Sequence, residues 1–426
     1  MGKKQNTIDR RNFLKTVGAA GLSSVLASTG AIAGPNQSNA EEKPKYPQVP
    51  KRKLGKTGVQ VPCLSLGGNY SFIDKQILLR KAIDWGINYW DTAPNYAGGN
   101  SELGIGNFLS KHPENRKKLF IASKAPNAGT VEDVEKLLQT SLKRMNTKYL
   151  DLYYGAWSMS DPGQLTDELK KWAESAKKRK LIRFFGFTTH KNMPQNLAAA
   201  AKLDWIDTIM TTYNFRLMQD AKMQAAIDAC HKAGIGLIAM KTIALSLQGL
   251  FEMHGLSPRK ENAQKVESEE DKKAVEHFLK RGFTEEQAKI KVVLEDKRFS
   301  SVCVGMWNVA HLTSGVATAL DKTKLSQSDR DILKEYAQVT CSDYCAGCAY
   351  ICDSILPDAP YLSDIMRYLM YYNSYGDLDR ARELFAQIPA NVRSKLLSTD
   401  YGAAEAHCPQ HLPIRELVTE AVSKLA

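Results

Sequence analysis

Short apolar runs rich in β-branched and aromatic residues alternate with amphipathic stretches from residue 52 onward. The first pattern is typical of buried strands and the second of surface helices. The predicted strands cover residues 61–66, 87–90, 119–123, 150–154, 182–187, 208–212, 236–240 and 300–304. The predicted helices between them include residues 75–85, 130–145, 165–179 and 220–233. Eight such units over about 270 residues predict a parallel (β/α)8 TIM barrel, an α/β fold.

The main alternative for this pattern is an open, doubly wound sheet. That fold typically carries a G-x-G-x-x-G phosphate loop after its first strand, whereas this chain reads LGGNYSF there. A charged insertion at 244–282 separates the seventh strand from its helix, and we expect it over one face of the barrel. After about residue 323 the sequence becomes Cys-rich and then helical, which predicts a domain boundary there.

The N-terminus has the layout of an export signal. Arg10 and Arg11 precede an uncharged run at 16–40, and Ala31, Ile32 and Ala33 supply a small-residue cleavage site. The arginine pair followed by Phe-Leu-Lys resembles the twin-arginine export motif; an ordinary Sec signal is the alternative. We therefore predict a signal at 1–33, a linker at 34–50, recognition by the twin-arginine machinery and a periplasmic or otherwise exported protein.

Composition narrows the class of protein further. The chain has 426 residues, 43% hydrophobic and 24% charged, which is typical of a globular protein. Its net charge of +12 is concentrated partly in the signal and otherwise spread out, so we expect no nucleic-acid partner. No run of about 18 strongly apolar residues follows the N-terminus, so we expect no membrane-spanning helix in the mature chain.

Six segments resemble one enzyme family. RKLGKTGVQVPCLSLGG at 52–68 resembles the opening hairpin and first strand of aldo-keto reductases, and INYWDTAPNYAGGNSELGIG at 87–106 resembles their second-strand signature. LFIASKAP, IRFFGFTTH, GIGLIAMK and SSVCVGM resemble later strands, in the same order. The resemblance covers about residues 52–320 and implies a barrel domain at 51–322 acting on a small-molecule substrate.

By this resemblance, Asp91, Tyr96 and Lys124 form the acid/base set. A carbonyl that receives a hydride must also receive a proton, and Tyr96 is the expected donor. We expect the Lys124 ammonium to lower the pKa of Tyr96, and Asp91 to hold the ammonium in place.

By the same resemblance, the chain retains only some of the residues that bind the cofactor in aldo-keto reductases. Thr188, His190, Tyr213, Asn214, Lys241 and Gly305 occupy family positions for cofactor binding. However, the substrate-orienting His falls on Ala156 or Trp157, and Trp307-Asn308 replaces the basic residue that pairs with the 2′-phosphate of NADP. Thr189, Met210 and Ser314-Gly315 are further departures. The resemblance therefore implies a degraded NADP site.

Five of the eight cysteines lie in the tail. CSDYCAGCAYICD at 341–353 gives C-x3-C-x2-C-x3-C, and Cys408 precedes a proline. Clustered thiolates plus a remote Cys-Pro are typical of iron–sulfur ligation, although disulfides and a zinc site are alternatives. We interpret Cys63, Cys230 and Cys303 as buried core residues.

This tail resembles the two-cluster ferredoxin-like domain of some aldo-keto reductases. The cysteines of the second motif would fall on Ser398, Tyr401 and Ala404, so one [4Fe-4S] cluster is predicted in a domain at 323–426. The resemblance assigns it to Cys341, Cys345, Cys348 and Cys408, with Cys352 as the alternative to Cys341.

Together these features predict an exported oxidoreductase of aldo-keto reductase type. Because NADPH is scarce outside the cytoplasm, a redox protein is an expected electron partner. The alternative is a non-catalytic ligand-binding or scaffold protein that retains the barrel.

Overall fold

The computed structural model describes residues 46–243, 269–339, 345–358, 361–375 and 378–426. The predicted signal, most of the predicted linker, much of the insertion after the seventh barrel strand, and Cys341 lie outside the described residues.

Eight parallel strands close into a barrel, which confirms the predicted (β/α)8 fold. A two-stranded antiparallel hairpin, β1 and β2, precedes it, and the barrel runs from β3 to β10 in chain order before β10 pairs with β3. The strands are β1 Lys51–Lys53, β2 Gln60–Pro62, β3 Leu64–Gly67, β4 Tyr89–Asp91, β5 Phe120–Lys124, β6 Leu150–Met159, β7 Ile182–Thr189, β8 Thr208–Thr212, β9 Gly236–Met240 and β10 Phe299–Gly305.

Helices follow the strands and cover the outside of the barrel. They are α1 Gln76–Asp84, α2 Asn100–Lys111, α3 Val131–Arg144, α4 Asp167–Lys178, α5 Met193–Ala200, α6 Ala221–Lys232, α7 Glu269–Lys280, α8 Glu285–Glu295, α9 Val309–Leu320 and α10 Gln327–Val339. Helix α3 shows why these segments are helical. Thr130 and Asp133 form a capping box at its start, and Val134, Leu138 and Leu142 are buried at helical spacing.

The stretch 61–66 was predicted as one strand, but the structure divides it at Cys63. The Cys63 N–H bonds to the carbonyl of Pro50 in the hairpin region, while the Cys63 carbonyl accepts from Val302 in the barrel. The chain thus passes from hairpin to barrel at this residue. Leu54 and Val61 of the hairpin region then pack with Tyr89, Leu152 and other inward-facing residues, which closes the amino end of the barrel.

The tail after the barrel is helical and has a hydrophobic core of its own. Its helices are α11 Ala349–Ile355, α12 Leu362–Tyr375, α13 Leu378–Ala386, α14 Ala390–Arg393, α15 Gly402–Ala406 and α16 Ile414–Leu425. Helix α10 follows the boundary predicted near residue 323, yet its Leu333 belongs to the core of the barrel. Within the described part of the chain, no helix combines the length and apolar character needed to cross a bilayer.

Candidate active site

Asp91 and Lys124 form a buried ion pair at the carboxyl end of the barrel. Each is the last residue of its strand, β4 or β5, and these strands are neighbours. Lys124 Nζ lies 2.5 Å from Asp91 Oδ1 and donates a second hydrogen bond of 2.8 Å to the carbonyl of Thr92. The same ammonium lies 4.7 Å from the ring centroid of Tyr96. The structure therefore brings together the three residues predicted as the acid/base set.

The electrostatics of Tyr96 differ from the sequence expectation. Burial and the nearby Asp91 carboxylate hold its pKa well above the ordinary value, so the expected lowering by Lys124 is absent. The physical reason is that the charge of Lys124 is directed at Asp91, its partner at 2.5 Å. Tyr96 therefore keeps its proton at neutral pH, as a proton donor must.

One carboxylate oxygen of Asp91 accepts no hydrogen bond from the described residues. Its Oδ1 takes the bond from Lys124, whereas its Oδ2 is buried and has no hydrogen-bond partner among the described residues. Burial raises the pKa of Asp91, and the neighbouring ammonium opposes that effect. A buried acceptor without a partner is costly and rare in proteins, and a catalytic role is one of the reasons for which such a group is retained.

Cys303 also lies beside Asp91 and Lys124. The sequence analysis interpreted it only as a buried core residue and missed this position. Its thiol is coupled electrostatically to Asp91 and Lys124, and burial raises its pKa. The missed signal is the period of two along β10: Val302 and Val304 belong to the core outside the barrel, so the residue between them faces inward.

Several residues predicted to bind a cofactor lie at the same end of the barrel. Thr188 accepts a hydrogen bond of 2.8 Å from the backbone N–H of Ser158, and His190 lies 3.3 Å from the hydroxyl of Thr212. Burial and the charges of Lys241, Arg367 and Lys124 push the pKa of His190 well below its usual value, so its imidazole is neutral.

The predicted cofactor residues Asn214, Lys241 and Gly305 also lie at the carboxyl end of the barrel. Asn214 donates to the carbonyl of Lys241 at 3.2 Å, and Gly305 ends β10 opposite Gly67. Burial and the nearby Arg367 lower the pKa of Lys241 to about 7, although the Cys345 thiol counteracts this.

Tyr213 is the one predicted cofactor residue that the structure places in a different group. Its ring stacks on Phe299 at 4.5 Å, at the start of β10, and its hydroxyl donates to Asp296 at 3.0 Å. These contacts lie beside the outer helices, so they give Tyr213 a structural role.

The residues that replace the family's NADP-binding residues make contacts within the chain. Trp307 lies 3.9 Å from the ring of His311, measured between centroids, and Asn308 caps α9 by accepting from the His311 N–H. Ser314 accepts a hydrogen bond of 3.0 Å from Gln287. A side chain at Gly315 would meet Met306 at 2.9 Å. Positions 305 to 308, at the end of β10 and in the loop that follows it, include no basic residue.

The tail lies directly over the carboxyl end of the barrel. Gly347 has a φ of +84°, and a Cβ atom there would overlap the carbonyl oxygen of His190. Lys191 pairs with Asp364 of α12 at 2.5 Å, and Tyr350 of α11 bonds to Asp220. Tyr371 of α12 is close enough to Tyr96 to raise its pKa. The tail thus takes part in the barrel's site.

Four cysteines of the tail are neighbours. Burial raises the pKa of the Cys348 thiol, and the thiols of Cys345, Cys408 and Cys352 raise it further. Burial, with a smaller effect of the Cys345 and Cys408 thiols, likewise raises the pKa of Cys352 to about 12. In the described ranges, no three His, Cys, Asp or Glu side chains stand close enough to hold a metal ion as they are. The donor type nonetheless matches that of an iron–sulfur site, because four cysteines, of which Cys348, Cys352 and Cys408 are buried and Cys345 is half-buried, lie near one another.

Two of the positions expected for a second cluster motif are filled by the tail's core. Tyr401 and Ala404 are buried there, and the Tyr401 hydroxyl donates to the carbonyl of Leu396 at 2.7 Å. At these two positions the side chains are part of the packed core of the tail.

Comparison with known proteins identifies the family. The model of the aldo/keto reductase family matches residues 64–338, which is well over half of the chain. The chain belongs to the aldo/keto reductase family. Its barrel supplies the part that matches, and the tail beyond residue 338 lies outside the match.

Two curated aldo/keto reductase relatives show similar coverage. L-Galactose dehydrogenase of Arabidopsis thaliana is 26% identical over 310 residues, which is 68% of this chain and 93% of that protein. L-Glyceraldehyde 3-phosphate reductase of Escherichia coli O157:H7 is 25% identical over 328 residues, 68% of this chain and 94% of that protein.

A solved structure supports the fold alone. The crystal structure of a thermostable aldo-keto reductase with the inhibitor epalrestat has a TM-score of 0.52 at 24% identity. It covers 67% of this chain and 99% of that one.

Proposed function

We propose that this aldo/keto reductase is an exported oxidoreductase that interconverts a carbonyl and an alcohol on a small molecule and carries one [4Fe-4S] cluster in its tail. The observation that carries the proposal is the arrangement of Lys124, 2.5 Å from Asp91 and 4.7 Å from the ring of Tyr96. Tyr96 donates the proton to the carbonyl oxygen. Asp91 fixes Lys124 beside Tyr96, where the ammonium stabilises the negative charge that develops on the carbonyl oxygen in the transition state.

The names of the curated relatives support a sugar-like substrate. They act, by name, on L-galactose and on L-glyceraldehyde 3-phosphate. Both compounds carry a carbonyl group beside hydroxyl groups, which suits a proton donor such as Tyr96.

We infer that the groove holds NADP only weakly at the position of its 2′-phosphate. Trp307 and Asn308 follow Gly305 and Met306, and neither can form a charge-assisted bond to phosphate. We therefore assign electron supply to a redox-protein partner. It delivers the two electrons that reduction of a carbonyl requires, Tyr96 supplies the proton to the oxygen, and the hydrogen that ends on the carbonyl carbon comes from a solvent proton; no step is assigned to nicotinamide.

The tail supplies the ligands of the proposed cluster. Cys345, Cys348 and Cys408 are three of them, and the fourth is Cys341 or Cys352. The coupling of Cys352 to Cys345 and Cys408 supports Cys352, whereas Cys341 lies outside the described residues. A bound cluster supplies one-electron transfer beside the barrel. The protein's part is to bury Cys345 near Lys241 and Arg367: burial raises the pKa of its thiol to about 11, and the two positive charges oppose that rise.

Export rests on the sequence of the first 33 residues. Arg10 and Arg11 support the twin-arginine route, which carries proteins that are already folded around a cofactor. Changing both to Lys should leave folded protein in the cytoplasm. Normal amounts in the periplasm after that change would contradict this part of the proposal.

A second candidate is a non-catalytic binding protein. It is favoured by Ala156 and Trp157, which stand where the family orients the substrate carbonyl with His.

One assay separates the two candidates. Anaerobically purified protein is supplied with aldoses, with reduced methyl viologen or NADPH as electron donor, and alcohol formation is followed. The oxidoreductase proposal expects turnover with the viologen and an NADPH dissociation constant above about 1 µM, because a lost charge-assisted contact costs about 2 kcal/mol. Tight aldose binding without turnover from either donor would favour the second candidate.

A further inference from the structure

A cleft of about 450 Å³ opens between the carboxyl end of the barrel and the tail. Ala125, Ala156 and Trp157 line it from the barrel side, and Tyr371 and Arg380 line it from the tail side. This volume is within the range of small-molecule sites. Ala125 directly follows Lys124 in the chain, and Tyr371 is near enough to Tyr96 to raise its pKa. The cleft therefore adjoins the acid/base set.

The charges in this cleft are unbalanced. Lys191 and Asp364 neutralise each other at 2.5 Å, and Glu168 is exposed at the edge. Arg367 and Arg380 also line the cleft, and no carboxylate within the described residues forms an ion pair with either one. Two guanidinium groups therefore face the cleft without a carboxylate partner among the described residues.

Arg380 is held in place by neutral neighbours. Its guanidinium carbon lies 5.4 Å from the ring centroid of Trp157 and 5.5 Å from that of Tyr371. One terminal nitrogen donates to Asn127 Oδ1 at 2.6 Å, whereas the Nε atom is buried without a hydrogen-bond partner in the part of the chain that the structure describes. Aromatic stacking fixes the plane of the group and leaves donors for a ligand.

Arg367 approaches the same space from α12. Its Nη1 donates to the hydroxyl of Ser158, which is a neutral acceptor. A guanidinium has five N–H donors, so most of those of Arg367 remain for a ligand. A carboxylate or phosphate suits this arrangement, because its oxygens accept paired bonds from a guanidinium fork.

We propose that this cleft binds a carbonyl compound that carries a carboxylate or phosphate group, with Arg367 and Arg380 holding the anion and the carbonyl directed toward Tyr96. This substrate class rests on the proposed function. Both arginines belong to the tail, so the tail determines substrate specificity in addition to carrying the cysteines.

The test measures binding without turnover. Titration calorimetry of the full chain uses three probes of similar size: D-glucuronate, D-glucose 6-phosphate and uncharged D-glucose. The anionic probe that matches the site should bind at least about tenfold more tightly than glucose, equivalent to about 1.4 kcal/mol. Its carboxylate or phosphate then defines the anion.

Arg367→Gln and Arg380→Gln should each remove most of the preference for the anionic probe over glucose. Arg382→Gln is the matched control, since Arg382 is exposed on the same helix as Arg380 and contacts Tyr372. Circular dichroism checks folding; if Arg380→Gln does not fold, Arg380→Lys, which keeps charge without the fork, should still lower the preference.

Equal binding of all three probes by the wild-type chain would overturn the inference, as would equal losses in the Arg382 control. Because the readout is binding, an anion preference without carbonyl turnover would contradict only the proposed function.

Discussion

Single residues at the barrel's carboxyl end determine what the site can do. Tyr96 is neutral because burial and Asp91 hold its pKa high, and Lys124 is directed at Asp91. In the proposed function, this neutral hydroxyl is the proton donor to the carbonyl oxygen.

Tyr96→Phe should lower carbonyl turnover by about 10²- to 10⁴-fold, the usual contribution of a general acid, with little change in stability. Turnover and thermal unfolding measure the two effects. Tyr149→Phe is the control, because Tyr149 precedes β6 at the opposite end of the barrel and stacks on Arg116. Unchanged turnover in Tyr96→Phe would remove Tyr96 from the proposed mechanism.

At this scale the sequence predicted the position of Asp91, Tyr96 and Lys124 but not their electrostatics. Strand ends in a parallel barrel converge, so their meeting follows from topology. The pKa of Tyr96 depends on burial beneath the tail and on the 2.5 Å approach of Lys124 to Asp91, which the residue order does not encode locally. Arg367 and Tyr371 were missed for the same reason, since they reach the site from a helix far along the chain.

Pairs of elements are joined by a few polar contacts. Glu135 of α3 accepts hydrogen bonds from Trp172 of α4 and from Arg179 just after it. Arg179 holds the pKa of Glu135 down at about 2, against an ordinary 4.5. This link ties neighbouring helices of the barrel together.

The link should make stability depend on pH in a defined window. Because the folded pKa of Glu135 lies below the unfolded one, its stabilisation is complete above about pH 4.5 and is lost as the pH falls toward about 2. Solvent screening at the partly exposed Arg179 limits the effect to about 1 kcal/mol.

Urea unfolding between about pH 6 and about pH 3 measures it. The difference between wild type and Glu135→Gln should shrink with falling pH, and exposed Glu174→Gln should show no such trend. A pH-independent difference would contradict the assigned pKa.

The junction between barrel and tail depends on Gly347. Its positive φ and its contact with the His190 carbonyl both exclude a side chain. Gly347→Ala should weaken tail docking by about 2 kcal/mol or more. Hydrogen exchange of α11 and α12 should rise, whereas Gly402→Ala, where a Cβ meets only Asp400 at 3.5 Å, should leave it unchanged. Equal exchange in both variants would show that the junction does not rely on this contact.

Element positions were largely predictable from sequence. β8 and β9 match their predicted bounds, since each is a short apolar run between polar segments. β6 extends five residues beyond the predicted end at 154, to Met159, because it continues to pair with β7 through two irregularities in register. Periodicity does not reveal such irregular pairing.

On the scale of the whole molecule, barrel and tail build the proposed site together. The barrel supplies Asp91, Tyr96 and Lys124, and the tail places Tyr371 near Tyr96 and Arg367 near His190. Cys345 lies near Lys241 at the rim of the barrel, which places the thiols of the tail beside the proposed site of chemistry.

Iron and acid-labile sulfide analysis of the anaerobically purified full chain tests the central claim most directly. The account predicts about four iron and four sulfide per chain, with strong loss in Cys408→Ser. Cys230→Ser should retain both, because Cys230 is buried against the carbonyl of Leu197 in the barrel. Bound zinc, a protein without iron and sulfide, or full iron in Cys408→Ser would contradict the account.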